Sequence, residues 1–247
     1  MALTYAAIPV TNPAHVALRT RRLIGLLIPL ASAAAFVRLG TWQLHRLVAR
    51  QAFNATLADR LSAAPADVAG LPADTALGHY RRVTAAGALL YDREVVYAGR
   101  SRQGSPGVNL LTPLRLASGQ VVMVNRGWAY SPDAGTIELS KWRERDTATV
   151  AGFAETWAGV TRPGGAPAAA RRIHSLQRAA VEATVGAPVL PYVLVQTSDS
   201  VLRADSVPVR LSLPVLDEGP HRNYAIQWFA FAAIAIIGGV ALFVRSR

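Results

Sequence analysis

The sequence predicts an α+β membrane protein in which two transmembrane helices flank a small, antiparallel, β-rich outer domain, with a partly closed barrel as one arrangement of its strands. Three observations carry that expectation. Ala225 to Val244 is a run of 20 residues without a formal charge, about 30 Å long as a helix and therefore one bilayer core. Leu23 to Val37 is a shorter uncharged run of 15 residues behind Arg19, Arg21 and Arg22. Between them lie short β-rich stretches separated by Gly, Pro, Ser and Asp. Composition agrees: 51% of the 247 residues are hydrophobic and 17% are charged, too apolar for a disordered polyampholyte. Without cysteine there is no disulfide scaffold, thiol nucleophile or Cys-x-x-Cys metal site.

The formal net charge of +11 first suggests a nucleic-acid binder, but its distribution argues against one. All 15 acidic residues lie between positions 51 and 220, where 17 of the 26 basic residues nearly balance them and leave only +2. The other nine basic residues, all Arg, sit in 1–50 and 221–247 with no acid among them. A charge carried by the chain ends points to membrane flanks, so no nucleic-acid partner is expected and a lipid bilayer is.

Taken in order, residues 1–22 form a cytoplasmic N-terminal segment and 23–44 the first transmembrane helix. Arg38 interrupts the apolar run but can snorkel, and Trp42 suits the membrane interface. The pattern of basic residues, apolar run and Ala31-Ser32-Ala33 also fits a cleavable signal peptide. Residues 45–220 form the outer domain. It opens with a short helix and linker over 51–79, followed by strands over Val83–Leu90, Glu94–Arg100, Val108–Leu116 and Gln120–Trp128. Ala117-Ser118-Gly119 reads as a hairpin turn, and Thr147–Trp157 and Tyr192–Thr197 as further strands. Val160–Ala170, with two Pro and two Gly, reads as a loop. Arg171–Val185 reads as a helix with Ile173, Leu176, Ala180 and Val181 on one face and Gly186 just beyond its end. Residues 221–244 form the second transmembrane helix, where Gly238 and Gly239 suit close packing of two membrane helices. Residues 245–247 are a cytoplasmic tail. The Arg residues before the first span and after the last place both termini inside.

No Gly-x-Gly-x-x-Gly or Walker pattern occurs, and His15, His45, His79, His174 and His221 show no metal-protease spacing. The informative stretches are the two outer helix ends, which two membrane spans would bring to one surface. Pro220 suits a first helical position and places His221 in the first turn, where the positive end of the helix dipole favours the neutral imidazole. At spacings of three and four, His221, Tyr224 and Trp228 share one helical face. A nitrogen donor above two aromatic rings suits a flat apolar macrocycle such as haem, with Arg46 or Arg222 pairing its propionates. The bland alternative is a helix-end His bonded to backbone, with Tyr224 and Trp228 as interfacial anchors. Asn125-Arg126-Gly127-Trp128 reads as a strand end where Gly permits a bulge and Arg stacks on Trp.

Three blocks together resemble the surfeit locus protein 1 family of cytochrome c oxidase assembly factors. They are Leu39-Gly40-Thr41-Trp42-Gln43-Leu44-His45-Arg46; Val124-Asn125-Arg126-Gly127-Trp128 followed by Pro132; and Pro220-His221-Arg222-Asn223-Tyr224-Ala225-Ile226-Gln227-Trp228-Phe229. The resemblance runs from about Leu23 to Val244. It implies a non-enzymatic protein of the bacterial plasma (inner) membrane, its central domain on the outer face, that assists delivery of haem A to oxidase subunit I. His221 is the position matching the family's haem-ligating histidine, making it the expected ligand to haem iron, with Tyr224, Trp228, Arg46, Arg222 and Trp42 around the cofactor. His45 lies outside the family pattern and is a second-ligand candidate only. The implied partners are oxidase subunit I and haem A synthase. The alternative within that reading is a structural scaffold for either partner that never ligates haem. Arg171–Val185 lacks the Trp and Asp that many relatives carry before this helix.

Overall fold

Helix formation does not stop at Trp42. No Gly or Pro falls between Thr41 and Ala64, and the stretch is rich in Leu, Ala, Arg and Gln, all good helix formers. The computed structural model therefore carries one continuous helix, α1, over Pro13–Ser62. The short helix expected after residue 51 is the end of α1. The structure describes residues 13–158, 171–198 and 207–245, with side-chain surroundings from Ile24 onward. The expected loop at Val160–Ala170 lies outside the described residues.

After α1 come β1 (Ala66–Asp67), α2 (Thr75–Gly78), β2 (Arg82–Leu89), β3 (Val95–Arg102), β4 (Ser105–Leu116), β5 (Val121–Tyr130), β6 (Thr147–Thr156), β7 (Arg172–Ile173), α3 (Arg178–Val185), β8 (Tyr192–Gln196) and α4 (His221–Arg245). They fall into two units, Met1–Ala55 with Asp217–Arg247, and Thr56–Leu216. By length and composition, the helices over Ile24–Ser62 and His221–Arg245 can each cross a membrane.

The second unit is built on a mixed sheet in the order β1-β2-β6-β8-β5-β4-β3-β7. Gly87–Leu89 of β2 also pair with Leu114–Leu116 of β4, so the pairings β2–β6–β8–β5–β4 return to β2. The expected all-antiparallel arrangement fails here for a geometric reason. A cycle of five strands cannot alternate direction throughout, so one neighbouring pair must run parallel, and that pair is β5–β8. The short strands β1 and β7 add parallel pairings with β2 and β3.

Side chains from those five strands fill one interior: Val83, Ala85 and Leu89 from β2, Leu114 and Leu116 from β4, Val122 and Val124 from β5, Val150 and Ala154 from β6, Tyr192 and Leu194 from β8. Their period of two is that of a pleated strand. The other face of β5 carries Val121 and Met123, which pack with Val193, Ile173, Val181 and Val185. Both faces of β5 are thus covered, and Val121 to Ala129 are buried without a break.

One expectation about this unit changes. Arg171–Val185 is a helix only from Arg178. Before it, Arg172 and Ile173 pair with Val96 and Tyr97 as β7, and Arg171 has a φ of 61°. A strand edge offering free hydrogen-bonding groups captured residues whose side-chain spacing also fitted a helix. Val181 and Val185 are the buried positions of α3, and Gly186 ends it in the left-handed conformation at φ 69°. The expected hairpin at Ala117-Ser118-Gly119 is present, closed by Gly119 N donating to Leu116 O at 2.9 Å.

Candidate functional site: one end of a packed helix pair

In the first unit, Pro29, Ala33, Phe36, Gly40, Gln43 and Leu47 of α1 recur at alternating spacings of four and three. His221, Ala225, Trp228, Ala232, Ala235 and Gly239 do the same on α4. That period of 3.5 is the seam of two packed helices. Ala33, Gly40 and Leu47 are its buried positions on α1, and Ala225, Ala232 and Gly239 on α4. Small residues let the backbones approach: a Cβ on Gly40 would sit 2.8 Å from the Phe229 ring, and one on Gly239 2.8 Å from Pro29 Cβ. The expected role of the glycine pair therefore falls to Gly239 alone, because Gly238 has nothing within 4 Å.

The antiparallel register of this seam places His221 against Gln43. Nδ1 of His221 lies 2.8 Å from Gln43 Oε1, and both side chains are half-buried. With the carboxamide oxygen facing the ring, Nδ1 carries the proton and donates. In the neutral ring that leaves the lone pair on Nε2, which has no partner among the described residues. Gly219 lies on that side. Its φ of 70° belongs to the left-handed region, and a Cβ there would come within 3.6 Å of Nε2. Asp217 Oδ1 holds the turn by accepting from Gly219 N at 2.8 Å. Two turns along the seam from His221, Trp228 stacks on Phe36 with centroids 5.7 Å apart and planes inclined by 23°. Phe231 closes an aromatic triad at 5.8 Å from Phe36 and 5.9 Å from Trp228.

The shared face drawn for His221, Tyr224 and Trp228 is therefore divided. His221 and Trp228, seven residues apart, both turn into the seam, while Tyr224 stays on its flank and is 46% exposed. Arg222 is exposed and pairs with Glu218 at 3.3 Å. Arg46 and Trp42 are exposed on α1. Trp42 and His45 point away from the seam, on the opposite face of α1, so His45 is not brought to His221.

These residues fit haem as a ligand set in one specific respect. A histidine that binds a metal through one nitrogen is normally oriented by a hydrogen bond from the other, and Gln43 supplies that bond. Among the described residues no group of three His, Asp or Glu side chains could hold a metal ion together. A lone oriented imidazole suits an iron that arrives with its own ring of four donors.

In the second unit, the Asn125–Trp128 block takes a different form from the one expected. The bulge is present, opposite Leu110 and Leu111, and Gly127 takes a φ of 130°. Arg126 is the extra residue, and its side chain is driven inward to 1% exposure. It lies over Tyr91 at 5.0 Å and not over Trp128. Nη2 donates to Glu94 Oε1 at 2.5 Å, Nε to Thr112 Oγ1 at 2.7 Å, and Nη1 to both Trp142 O at 2.7 Å and Glu144 Oε1 at 2.8 Å. Arg210 pairs with the other oxygen of Glu144 and donates to Arg126 O at 2.6 Å. Two guanidinium groups thus balance two carboxylates. Burial beside this cluster pushes the Tyr91 hydroxyl above its usual range.

A model of the SURF1 family matches residues 30–233 of the chain. The chain belongs to the SURF1 family. The matched SURF1 segment contains the seam from Ala33 to Ala232, His221, Gln43 and the whole Arg126 cluster. A SURF1-like protein of Monosiga brevicollis is 39% identical over 101 residues, which cover 36% of this chain and 39% of that protein. One from Rickettsia bellii is 31% identical over 94 residues, covering 37% of this chain and 38% of its own length. An uncharacterised SURF1-like protein of Mycobacterium bovis is 28% identical over 175 residues, 64% of this chain and 58% of that protein. The chain therefore spans between about two-fifths and three-fifths of these SURF1-like relatives.

Sequence reading missed Gln43, Phe36 and Gly219 as parts of the site. The signal for the first two was the 3.5-residue period shared by the two helices. Glu94, Glu144 and Arg210 were missed as partners of Arg126 because they lie on separate segments with no common spacing.

Proposed function

We propose that this SURF1-family protein assists assembly of a haem–copper cytochrome c oxidase by holding haem A on the way to subunit I, with His221 as the residue that would hold its iron. The observation that carries the reading is the oriented imidazole: Nδ1 faces Gln43, and Nε2 has no partner among the described residues. Haem A supplies an iron that takes a nitrogen donor, an apolar ring and two propionates. His221 provides the donor. Tyr224, exposed beside the seam, offers a surface for the ring, and Trp228 with Phe36 keeps the helix pair in register beneath it. Arg46 and Arg222, exposed near the same helix ends, are the cations for the propionates.

In this reading the first apolar helix is retained, both helices cross the bacterial plasma membrane, and the strand unit lies on its outer face as a partly closed barrel. The chain works without catalytic turnover and docks on oxidase subunit I and haem A synthase. Protein purified in detergent from cells that make haem A should show the optical spectrum of bound haem. A haem-free protein that still restores oxidase assembly to cells lacking it would replace this reading with the scaffold.

A further inference from the structure

Charge in the helical unit is far out of balance. Residues 1–55 and 217–247 contain nine Arg but only two acids, Asp217 and Glu218. Both acids are engaged: Asp217 accepts from Gly219 N, and Glu218 meets Arg222 and Gln51. The ion pairs formed among the described residues leave Arg38 and Arg46 without a carboxylate. An arginine at the border of an apolar helix turns its guanidinium to the interface, where an anion can meet it.

Arg38 has company suited to one. Arg38, Thr41, Trp42 and His45 follow at spacings of three, four and seven from Arg38, so they share one face of α1. That face is opposite the seam of Phe36, Gly40, Gln43 and Leu47, and with Leu39 these four residues line a shallow concavity. Trp42 is 53% exposed there. The Thr41 hydroxyl is turned back to donate to Arg38 O at 2.9 Å, leaving the guanidinium and the imidazole as the polar groups that face outward. Val37, Leu39, Leu44 and Val48 are exposed apolar neighbours on the same helix.

Depth along the helix selects the anion. The 15 residues from Leu23 to Val37 rise about 22 Å at 1.5 Å each, short of a hydrocarbon core of about 30 Å. Arg38 therefore lies within the far part of that layer and snorkels to its edge, with Trp42 at the border and His45 just beyond it. We propose that this face of α1 binds an anionic phospholipid, its phosphate between Arg38 and His45 and its glycerol region against Trp42. A phosphate oxygen pair matches the planar fork of a guanidinium. A phosphodiester joined to acyl chains satisfies the cation and its apolar neighbours together, which an acidic protein segment would not. The proposal rests on α1 crossing a bilayer and is independent of haem ligation by His221.

The test uses the full chain in bilayer discs of phosphatidylcholine containing a minor fraction of phosphatidylglycerol, with native mass spectrometry counting the lipids that stay bound. Phosphatidylglycerol should be retained in preference to phosphatidylcholine, and Arg38→Gln should cut that preference about fivefold, the share of one arginine at an anionic surface. Arg245→Gln, at the other end of the helix pair and outside this concavity, should lower it less than Arg38→Gln does. Haem content measured on the same Arg38→Gln sample should stay at the wild-type level, which separates this site from that of His221. If Arg38→Gln fails to insert, Trp42→Leu and His45→Gln must each lower the preference. Equal retention of the two lipids, or an Arg38→Gln protein that keeps the full preference, overturns the proposal. Displacement of the lipid by millimolar inorganic phosphate overturns it in favour of a free-phosphate site. Retention of an acidic oxidase segment in place of lipid overturns it in favour of a protein contact.

Discussion

Replacing His221 by alanine should strip the purified protein of most of its haem, at least tenfold in the haem-to-protein ratio, while the helix pair and the strand unit stay folded. The two effects separate because they rest on different interactions. Folding loses one half-buried hydrogen bond to Gln43, worth about 1 kcal/mol, while the seam keeps Ala225, Ala232 and Gly239 buried. Binding loses the nitrogen donor itself, which packing cannot replace. Gln43→Leu tests the orientation separately. It keeps the ligand but removes what fixes its tautomer, and losses of such second partners cost about 10- to 100-fold in metal affinity. Tyr224→Ala should lower haem content only in part, since ring stacking contributes about 1 kcal/mol beyond area burial. His45→Ala, on the opposite face of α1, should leave haem content unchanged. Were His221 and Tyr224 simply interfacial anchors, none of these variants would change the haem-to-protein ratio.

Arg126→Met should be among the most destabilising single substitutions in the strand unit. Arg126 and Glu94 are both 1% exposed and meet at 2.5 Å. Removing the guanidinium leaves a buried carboxylate with Thr112 as its one remaining donor among the described residues, and breaking a buried pair from one side costs about 3–5 kcal/mol. For a unit of this size each kcal/mol is worth roughly 2–4 °C, so circular dichroism should show a fall on the order of 10 °C in the melting midpoint of its β signal. Adding Glu94→Gln should return part of that loss, because the neutral amide removes the unpaired charge. Arg126→Lys should recover little. An ammonium cannot reproduce a planar fork that reaches Glu94, Thr112, Trp142 and Glu144 at once. A melting midpoint within 2 °C of wild type for Arg126→Met, measured against that roughly 10 °C expectation, would mean the cluster is not what holds this unit.

Legibility in the sequence followed the range of the interactions. Strands at Arg82–Leu89, Val95–Arg102, Ser105–Leu116, Val121–Tyr130, Thr147–Thr156 and Tyr192–Gln196 lie within a few residues of the expected runs, because apolar periodicity and turn residues are local. Direction was not legible. The parallel β5–β8 pair follows from closure of a five-strand cycle, which no local window contains. Ile173 fitted a helical face and a strand equally, and Val96 and Tyr97 on β3 decided between them. At the helix ends, family resemblance pointed to His221, and geometry added Gln43 from 178 positions away in the chain. Spacing alone joined Tyr224 to that face, and seam packing separated it again. Arg126 was singled out, but its inward course could not be read from its neighbours. The bulge at Gly127 moves the side chain to the other side of the strand, beyond the reach of the Trp128 ring.

The central claim is a bond between iron and one named nitrogen, and pulsed electron paramagnetic resonance on the purified haem-loaded protein reads that bond directly. Protein grown with 15N-labelled histidine in otherwise unlabelled medium should show hyperfine coupling of ferric haem to a histidine 15N. That coupling should be present in wild type and in His45→Ala and absent in His221→Ala. Coupling that survives in His221→Ala, or haem that binds without coupling to any histidine nitrogen, would contradict the assignment.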